Sequence, residues 1–501
     1  MRIRLRHSGA AISGVGLAGL LQLCAVEGVW AAEFKVLDNQ VTGSFDSTLS
    51  YGRLWRVQGR DKTNDDVNTN DGNRNFDTGL VSEVYKITSE LEANYQNYGV
   101  FMRGTAFYDT QLMDKRNDYY HNNSPSQPSQ SYPNDDHFTD QTRDIAGSRI
   151  EMLDAYVYGN WDVAQMPVTA RLGRQVFNWG EGIFYRGGIN TTNPVDAAKY
   201  RLPGAEVKEV LMPVEAVSFN IGLSDNLTME SFYQTNWKET RIDPVGTFYS
   251  QGDLFADGGN TGYNNFTGTA LDTPVPGFGN VIGLYEALGN NPALNQILGS
   301  TGLYANGVTP AYGNTLKVAS IGKDINARND GQFGFAFRYI AEELNSTEFG
   351  LYMVNYHAKE PTIAANLGGY KGIDMDALTN LLSGLAGSQA GALANGLATA
   401  DVMGNIQANR RYAEDIRMYG FSFNTTLGQA SVFGELAYRP NLPIGIAATN
   451  DLIGDLANGA AAAVTGQSIN VGGQMVTLDS QINNAERVEA FNTSLGSIYN
   501  F

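Results

Sequence analysis

The feature that most constrains this chain is a two-residue alternation of apolar and polar side chains that recurs in segments of about ten residues. In the clearest segment every second residue is aromatic, namely Phe333, Phe335, Phe337 and Tyr339. Because successive side chains of a strand point to opposite faces, the pattern predicts strands with one apolar and one polar face. It places twelve strands near residues 45–57, 80–95, 99–111, 148–161, 168–177, 214–223, 227–237, 331–341, 346–357, 415–426, 429–439 and 488–500.

The connections between these segments alternate in length. Every second connection is a tight turn, as at residues 97–98 and 427–428, and the others run from about twenty to about ninety residues. An outer-membrane barrel segregates its loops in this way, and its closure leaves no unpaired strand edge in hydrocarbon. We therefore predict an all-β fold, an antiparallel transmembrane β-barrel of about 12–16 strands with long extracellular loops.

Apolar residues at helical spacing lie in three of the long loops, around residues 284–298, 374–385 and 452–456. They predict short helices in these loops, with Asp374 and Asp376 as candidate capping residues of the second helix. Two roles remain open for them: a structural lid over the barrel mouth, or an apolar collar that passes greasy solutes inward. After the first thirty residues the chain has no run of about 18 apolar residues, so the sequence predicts no membrane-spanning helix.

The first 31 residues have the layout of a secretory signal peptide. A basic start is followed by a short apolar segment, and Val29-Trp30-Ala31 places small residues at a cleavage site. A membrane anchor is the weaker interpretation, because the apolar segment is short and rich in glycine. We predict a signal peptide at 1–31, a barrel at 32–501 and location in the outer membrane of a Gram-negative cell.

Composition excludes several functional classes. The formal net charge is −18, so a nucleic-acid backbone would be repelled. Cys24 is the one cysteine, the four histidines show no metal-site spacing, and we expect neither metal site nor cofactor.

The segment 171–213 carries the densest set of chemically active side chains. We predict that residues 178–213 fold into the barrel, where opposed charges form either a pore constriction or a structural plug. Charged residues on the strands should also face the lumen, because lipid would penalise them. Arg103, Arg417 and Arg439 are such residues. The candidate constriction or lumen residues are Arg171, Arg174, Trp179, Glu181, Asp196, Glu206, Lys208, Glu209, Glu230, Arg338, Glu348 and Glu435.

Many separate motifs make the chain resemble the DUF1302 family of proteobacterial proteins. They include TLSYGRLWR (48–56), RLGRQVFNWGEG (171–182), GINTTNPVD (188–196), LPGAE (202–206), KEVLMP (208–213), ESFYQTNW (230–237), DPVG (243–246), GQFG (331–334), GLYMVNYH (350–357), YAED (412–415) and GELAYRP (434–440). The resemblance implies an outer-membrane β-barrel of uncharacterised function, for which transport is suggested by neighbouring genes for hydrophobic compounds and efflux. It implies no catalytic residue. It also favours a chain that is incomplete at its C-terminus, although Phe501 is the kind of terminal aromatic that the barrel-assembly machinery recognises.

These observations favour a channel for uptake or export of a small, hydrophobic or amphipathic solute, with outer-membrane lipid and the barrel-assembly machinery as partners. A structural or adhesive surface barrel without transport is the alternative. An outer-membrane lipid hydrolase is a third hypothesis, with His357 at a strand end as its candidate base, but no Gly-x-Ser-x-Gly elbow supports it. We therefore predict no enzymatic activity. The sequence does not indicate an oligomeric state.

Overall fold

The computed structural model describes residues 4–5, 26–123, 127–182, 187–367, 369–445, 464, 468–471, 474–477 and 480–499. Its main feature is one antiparallel sheet of fourteen strands that follow each other in chain order. The strands β1 to β14 are Arg4–Leu5, Val26–Val36, Val41–Arg56, Gly79–Tyr95, Tyr98–Asp109, Ser148–Val163, Met166–Gln175, Val214–Ser224, Leu227–Gln234, Gln332–Ala341, Thr347–Tyr356, Ile416–Leu427, Ala430–Gly445 and Ala485–Tyr499.

The twelve predicted strands correspond to β3 to β14, and the predicted segregation of loop lengths is confirmed. The connections at one end of these strands are tight turns of two to five residues, such as 96–97 and 342–346. Sequence reasoning missed β2, because residues 26–31 had been assigned to the signal peptide; most of that peptide, residues 6–25, lies outside the described residues. Phe501 also lies outside them.

The sheet has two chemically different faces. We call the face that contacts residues 176–213 the inner face and the opposite one the outer face. On β10 the aromatic side chains of Phe335 and Phe337 are exposed on the outer face, whereas Ala336 between them is fully buried on the inner face. The described strand pairs form one line from β1 to β14 and include none between these two strands, so barrel closure stays a prediction.

The long loops build a second folded layer with its own apolar core. Its four main helices are α1 (Val281–Gly289), α2 (Pro292–Gly299), α3 (Met375–Ala386) and α4 (Ala390–Gly404). A smaller sheet joins them through the strands Thr261–Asn265, Ala311–Tyr312, Thr315–Ile321, Thr362–Asn366, Gln407–Arg411 and Ile482–Asn483. Two short strand pairs are Pro274–Val275 with Gly279–Asn280 and Ile469–Val471 with Gln474–Val476. The short α-helices are Asp71–Arg74, Thr110–Asp114, Tyr119–Asn122, Asp140–Thr142 and Ala197–Arg201. The 3-10 turns are Val207–Glu209, Ala270–Asp272, Glu342–Leu344 and Gly387–Gln389, and Arg143–Gly147 is a π-helical turn.

Two of the three predicted loop helices are present. Residues 284–298 form α1 and α2, separated by two asparagines, and the Asp374 carboxylate accepts a hydrogen bond from the Ala377 N–H at the start of α3 (2.9 Å). Most of their apolar side chains are buried in the loop-layer core, although Ile297 and Leu381 are exposed. This burial fits the lid role. The third predicted helix, around 452–456, lies outside the described residues. Among the described residues, no helix is long and apolar enough to cross a membrane.

Asp401 on α4 holds the loop layer together through its buried carboxylate. It accepts hydrogen bonds from the Tyr285 hydroxyl (2.8 Å), the Tyr370 hydroxyl (3.0 Å) and the Tyr304 N–H (3.1 Å). Burial raises the pKa of Asp401, and the hydrogen bonds from its three donors oppose that rise. Three segments far apart in the chain therefore meet at one acceptor.

We expect Asp401→Ala to loosen the loop layer without unfolding the main sheet. The substitution leaves buried donors without an acceptor, which costs about 2–4 kcal/mol. Limited proteolysis should then cleave within residues 260–410 at a much higher rate. The exposed Asp376→Ala on α3 is the control and should behave like the parent protein. Equal protease resistance in both variants would contradict the assigned role.

Candidate functional site

The segment 176–213 connects β7 to β8, and its described residues, 176–182 and 187–213, lie across the inner face of the sheet. Residues 177–189 contact strands in the second half of the sheet, including β9, β11 and β13. Residues 196–209 contact strands in the first half, including β4 and β6. The loop thus joins two parts of the sheet that are distant in strand order.

Aromatic side chains position the beginning of this loop. Trp179 is buried, and its indole N–H donates to the Glu230 carboxylate on β9 (2.8 Å). Its ring centroid lies 5.0 Å from that of Phe232 and 6.1 Å from that of Tyr352, while Phe177 stacks on Phe232 at 4.6 Å. Burial of several aromatic rings in one cluster is a large apolar contribution to fixing the loop.

Two charged residues on β13 bind the loop backbone from the same face. The Glu435 carboxylate accepts hydrogen bonds from the N–H groups of Glu181 (2.8 Å), Gly182 (2.8 Å) and Ile189 (3.0 Å). Four residues further on, the buried Arg439 guanidinium donates to the carbonyls of Gly187 (2.6 Å) and Gly188 (2.5 Å). We call this pair the β13 clamp.

The clamp explains a glycine in the loop. Gly180 has a φ of +87°, and an added Cβ would lie 2.5 Å from the Glu435 carboxylate. Glu181 next to it directs its own carboxylate to the Asn424 amide on β12 (2.9 Å). Burial raises the pKa of Glu181, and the Asn424 hydrogen bond partly opposes that rise.

An ion-pair network holds the middle of the loop. The fully buried Asp196 carboxylate lies 2.6 Å from the Arg149 guanidinium on β6 and also accepts the Lys199 N–H (2.9 Å). The Lys199 ammonium lies 2.6 Å from Glu151 on β6, and the Arg241 guanidinium lies 3.0 Å from the same carboxylate. Burial lowers the pKa of Lys199, and Glu151 opposes that effect. Sequence reasoning named Asp196 but missed the rest of this network, although Arg149 and Glu151 are charged residues on the alternating strand β6.

The end of the loop is bound to β4. The Glu209 carboxylate lies 2.7 Å from the Lys86 ammonium and accepts the Thr88 hydroxyl (2.6 Å). Lys208 lies between the carboxylates of Glu90 (2.7 Å) and Glu206 (2.9 Å). Burial disfavours the charged form of Glu209, but the hydrogen bonds from Lys86 and Thr88 outweigh it and lower the pKa of Glu209.

The remaining candidates separate into paired and unpaired residues. Arg338 on β10 lies 2.9 Å from Glu348 and 3.2 Å from Glu230, which completes an ion-pair ladder on the inner face. Arg171 on β7 is exposed, and its one described contact is with the Tyr156 ring, whose centroid lies 5.3 Å from the guanidinium carbon.

Two predicted lumen residues lie on the other face. Arg174 is paired in register with Glu215 (3.1 Å), and both alternate with the buried inner-face residues Gln175 and Val214. Arg417 likewise alternates with buried Ile416 and Met418. Their placement on the outer face corrects the expectation that strand charges face inward; both are near the long-loop end of their strands, where the outer face is no longer purely apolar.

A polar cavity of about 280 Å³ remains beside the loop. Arg171 lines it together with the Glu230 carboxylate and the hydroxyl and amide side chains of Thr169, Ser218, Asn178 and Asn220. Phe177 and Trp179 lie at its loop end. Many of the other charges at the site bind the loop to the strands, as Asp196, Lys208 and Glu209 do. The plug and the constriction both stay predictions.

His357, the candidate base of the hydrolase hypothesis, is fully buried. Its Nε2 donates to the Asp330 carbonyl (2.8 Å), and its Nδ1 accepts the Asp415 N–H (3.0 Å). Burial lowers the pKa of His357, which keeps the ring neutral in this arrangement. Both ring nitrogens are therefore occupied by backbone groups, and neither is left to activate a serine hydroxyl.

One group of described side chains has ligand atoms close enough to hold a metal ion. The ligand atoms of Asp77, Asp118 and His121 lie within 4.8 Å of one another on exposed loops. The sequence did not indicate it, because Asp77 is about forty residues from the other two. Asp77 and His121 are exposed and Asp118 is half-buried, as is common for acidic groups that hold no ion.

We expect the loop end at Glu209 to detach from β4 in acid. Because the folded-state pKa of Glu209 lies below its usual value near 4.5, this contact stabilises the loop fully above pH 4.5 and is lost as the pH falls through the folded-state pKa. Hydrogen exchange of residues 200–212, corrected for the intrinsic rate, should accelerate below pH 4.5. Glu209→Gln should remove this acid step, whereas the matched Glu206→Gln should retain it. An unchanged acid step in Glu209→Gln would contradict the assignment.

A comparison with known protein families finds one matching family. "Protein of unknown function (DUF1302)" matches residues 12–500. No curated protein matches the chain. Among solved structures, the chain is similar to one described as "Copper transporter OprC", with 7% sequence identity and a TM-score of 0.27, over 95% of this chain and 48% of that one. The chain thus spans about half the length of that structure. The match over nearly its whole length shows that the chain belongs to the DUF1302 family.

Proposed function

We propose that the main sheet closes into a β-barrel in the outer membrane of a Gram-negative cell and forms a channel for a small, hydrophobic or amphipathic solute. The observation that carries the proposal is the loop 176–213, which crosses the inner face and is bound to strands from β4 to β13. A loop held in this way inside a closed sheet would narrow the pore, as loops do in channels of this type.

The outer face supports a membrane environment. Large apolar side chains on neighbouring strands are between 40% and 75% exposed there, which in water would form a very large apolar patch. They include Phe45, Leu49, Val157, Leu172, Phe219, Phe335, Phe337, Leu351, Phe421, Leu436 and Leu495. The inner face carries the ion pairs that bind the loop 176–213. Apolar-outside and polar-inside alternation is typical of transmembrane barrels, and the predicted signal peptide agrees with export.

Closure follows from the same environment. In hydrocarbon each unpaired N–H or C=O group costs several kcal/mol, so an open first or last strand would be strongly disfavoured. Pairing between the two ends of the sheet removes that cost. The tight turns would then face the periplasm and the loop layer would cover the outside.

A structural or adhesive barrel is the second candidate. The pairing of Asp196, Lys208, Glu209, Arg338 and Glu435 favours it, because these charges fix the loop and do not line a free path. The two candidates differ in whether the loop opens. We propose no catalytic function for the chain.

Planar-bilayer conductance distinguishes them. We expect the parent protein to conduct weakly and the double variant Glu435→Ala/Arg439→Ala to conduct severalfold more, because the loop loses five hydrogen bonds of the β13 clamp. Deletion of residues 178–213 should give the largest conductance. Arg174→Gln, on the outer face, is the matched charge-loss control and should behave like the parent protein. Absence of conductance in the deletion variant, with the barrel correctly folded by heat-modifiable electrophoretic mobility, would overturn the channel and favour the structural barrel.

A further inference from the structure

The cavity beside residues 176–213 contains a cation that the protein does not neutralise. Among the described residues, several other inner-face cations on the strands pair with carboxylates, as Arg103 does with Glu90 (3.0 Å) and Asp154 (2.9 Å). Arg171 has no such partner and contacts only the Tyr156 ring. In a chain with a net charge of −18, this free guanidinium is unusual.

The groups next to Arg171 in the strand register are hydrogen-bonding but uncharged. Thr169 lies two residues before it on β7, and Ser218 and Asn220 lie opposite on β8, where Arg171 is directly paired with Ser218 and Thr169 with Asn220. All four line the cavity. The Glu230 carboxylate also lines the cavity, but it accepts the Trp179 indole N–H (2.8 Å) and lies 3.2 Å from the Arg338 guanidinium. A guanidinium surrounded by hydroxyl and amide groups is suited to bind an oxyanion, because it can donate two parallel hydrogen bonds and its neighbours can supply more.

The cavity also has an apolar end. Phe177 and Trp179 line it where it meets the loop, and both belong to the aromatic cluster on Phe232. A ligand that fills the cavity therefore meets a cation at one end and aromatic side chains at the other. Its volume of about 280 Å³ exceeds what a single water molecule requires.

We propose that this cavity binds the headgroup of an amphipathic anion, with Arg171 holding a carboxylate or a phosphate monoester and the aromatic end receiving the first part of its hydrocarbon chain. The inference rests on the proposed channel function and specifies its solute. Because Arg171 and Thr169 lie between the loop and the tight-turn end of β7, the site is on the tight-turn side of the loop. A solute would thus bind there before or after passing the loop.

Equilibrium dialysis against the full chain in phospholipid nanodiscs tests the proposal, with empty nanodiscs subtracted. The probes are octanoate, octyl phosphate and the neutral octanol. We expect one or both anions to bind more tightly than octanol, and Arg171→Gln to weaken anion binding at least about tenfold while octanol is unaffected. The two anionic probes distinguish a carboxylate from a phosphate headgroup.

Two further variants make the test specific. Asn220→Asp places a carboxylate within reach of Arg171 and should weaken anion binding in a barrel that retains every cation. Arg174→Gln removes the same charge three residues away on the outer face and should bind like the parent protein. Anion binding that survives Arg171→Gln, or that falls equally in Arg174→Gln, would overturn the proposal.

Failure of this inference is separable from failure of the channel. Conductance of the variant lacking residues 178–213 is measured without any probe. If that variant conducts but anion binding does not depend on Arg171, the anion site is rejected and the channel is kept. Arg171-dependent binding without conductance keeps the site as a binding site and rejects transport.

Discussion

The main sheet must pair its own backbone N–H and C=O groups in hydrogen bonds while one of its faces stays apolar. The rest of the structure depends on this constraint. Strand alternation meets it by sending Phe335, Phe337 and Leu351 to one side and Ala336 and Arg338 to the other. The ion pairs that bind the loop 176–213 are then collected on the inner face. The loop 176–213 can be bound there by charge because water and lipid are both largely excluded from its contacts.

The loop is held by complementary chemistry at its two ends. On β13 the Glu435 carboxylate accepts hydrogen bonds from three loop N–H groups, and the Arg439 guanidinium donates hydrogen bonds to two loop carbonyls. The strand therefore binds the loop backbone itself, and few loop side chains are needed. On β4 and β6 the contacts are ion pairs between side chains, such as Asp196 with Arg149. Buried ion pairs often contribute little net stability, but loss of one partner is costly, which makes them effective in fixing a unique loop position.

Sequence reasoning identified the parts of the fold that depend on local pattern. Alternation and loop length gave the strands β3 to β14, and helical spacing with Asp374 as a cap gave α1 to α3. The smaller sheet was missed because it pairs short strands from distant loops, such as Thr315–Ile321 with Gln407–Arg411, and no local signal encodes such pairing.

At the site, the location of the chemistry was predictable but the partners were not. The density of charge in 171–213 indicated the loop, and Glu435 and Arg439 were expected on the inner face because they interrupt an alternating strand. Arg149 and Lys86 were missed, since their roles arise only when the loop reaches β4 and β6. Arg174 was assigned to the wrong face: charge alone does not fix orientation, whereas the register with Glu215 does.

The most direct test of the central claim is to measure whether lipid or water surrounds the outer face of the sheet. A fluorescent label is attached to Leu351→Cys on the outer face or to Thr169→Cys beside the cavity, each in a chain with Cys24 replaced by serine and reconstituted in vesicles. We expect lipid-borne doxyl groups to quench the label at position 351 strongly and the label at position 169 weakly. Quenching of the label at position 351 by aqueous iodide, with no effect of the lipid-borne groups, would contradict a membrane-embedded sheet.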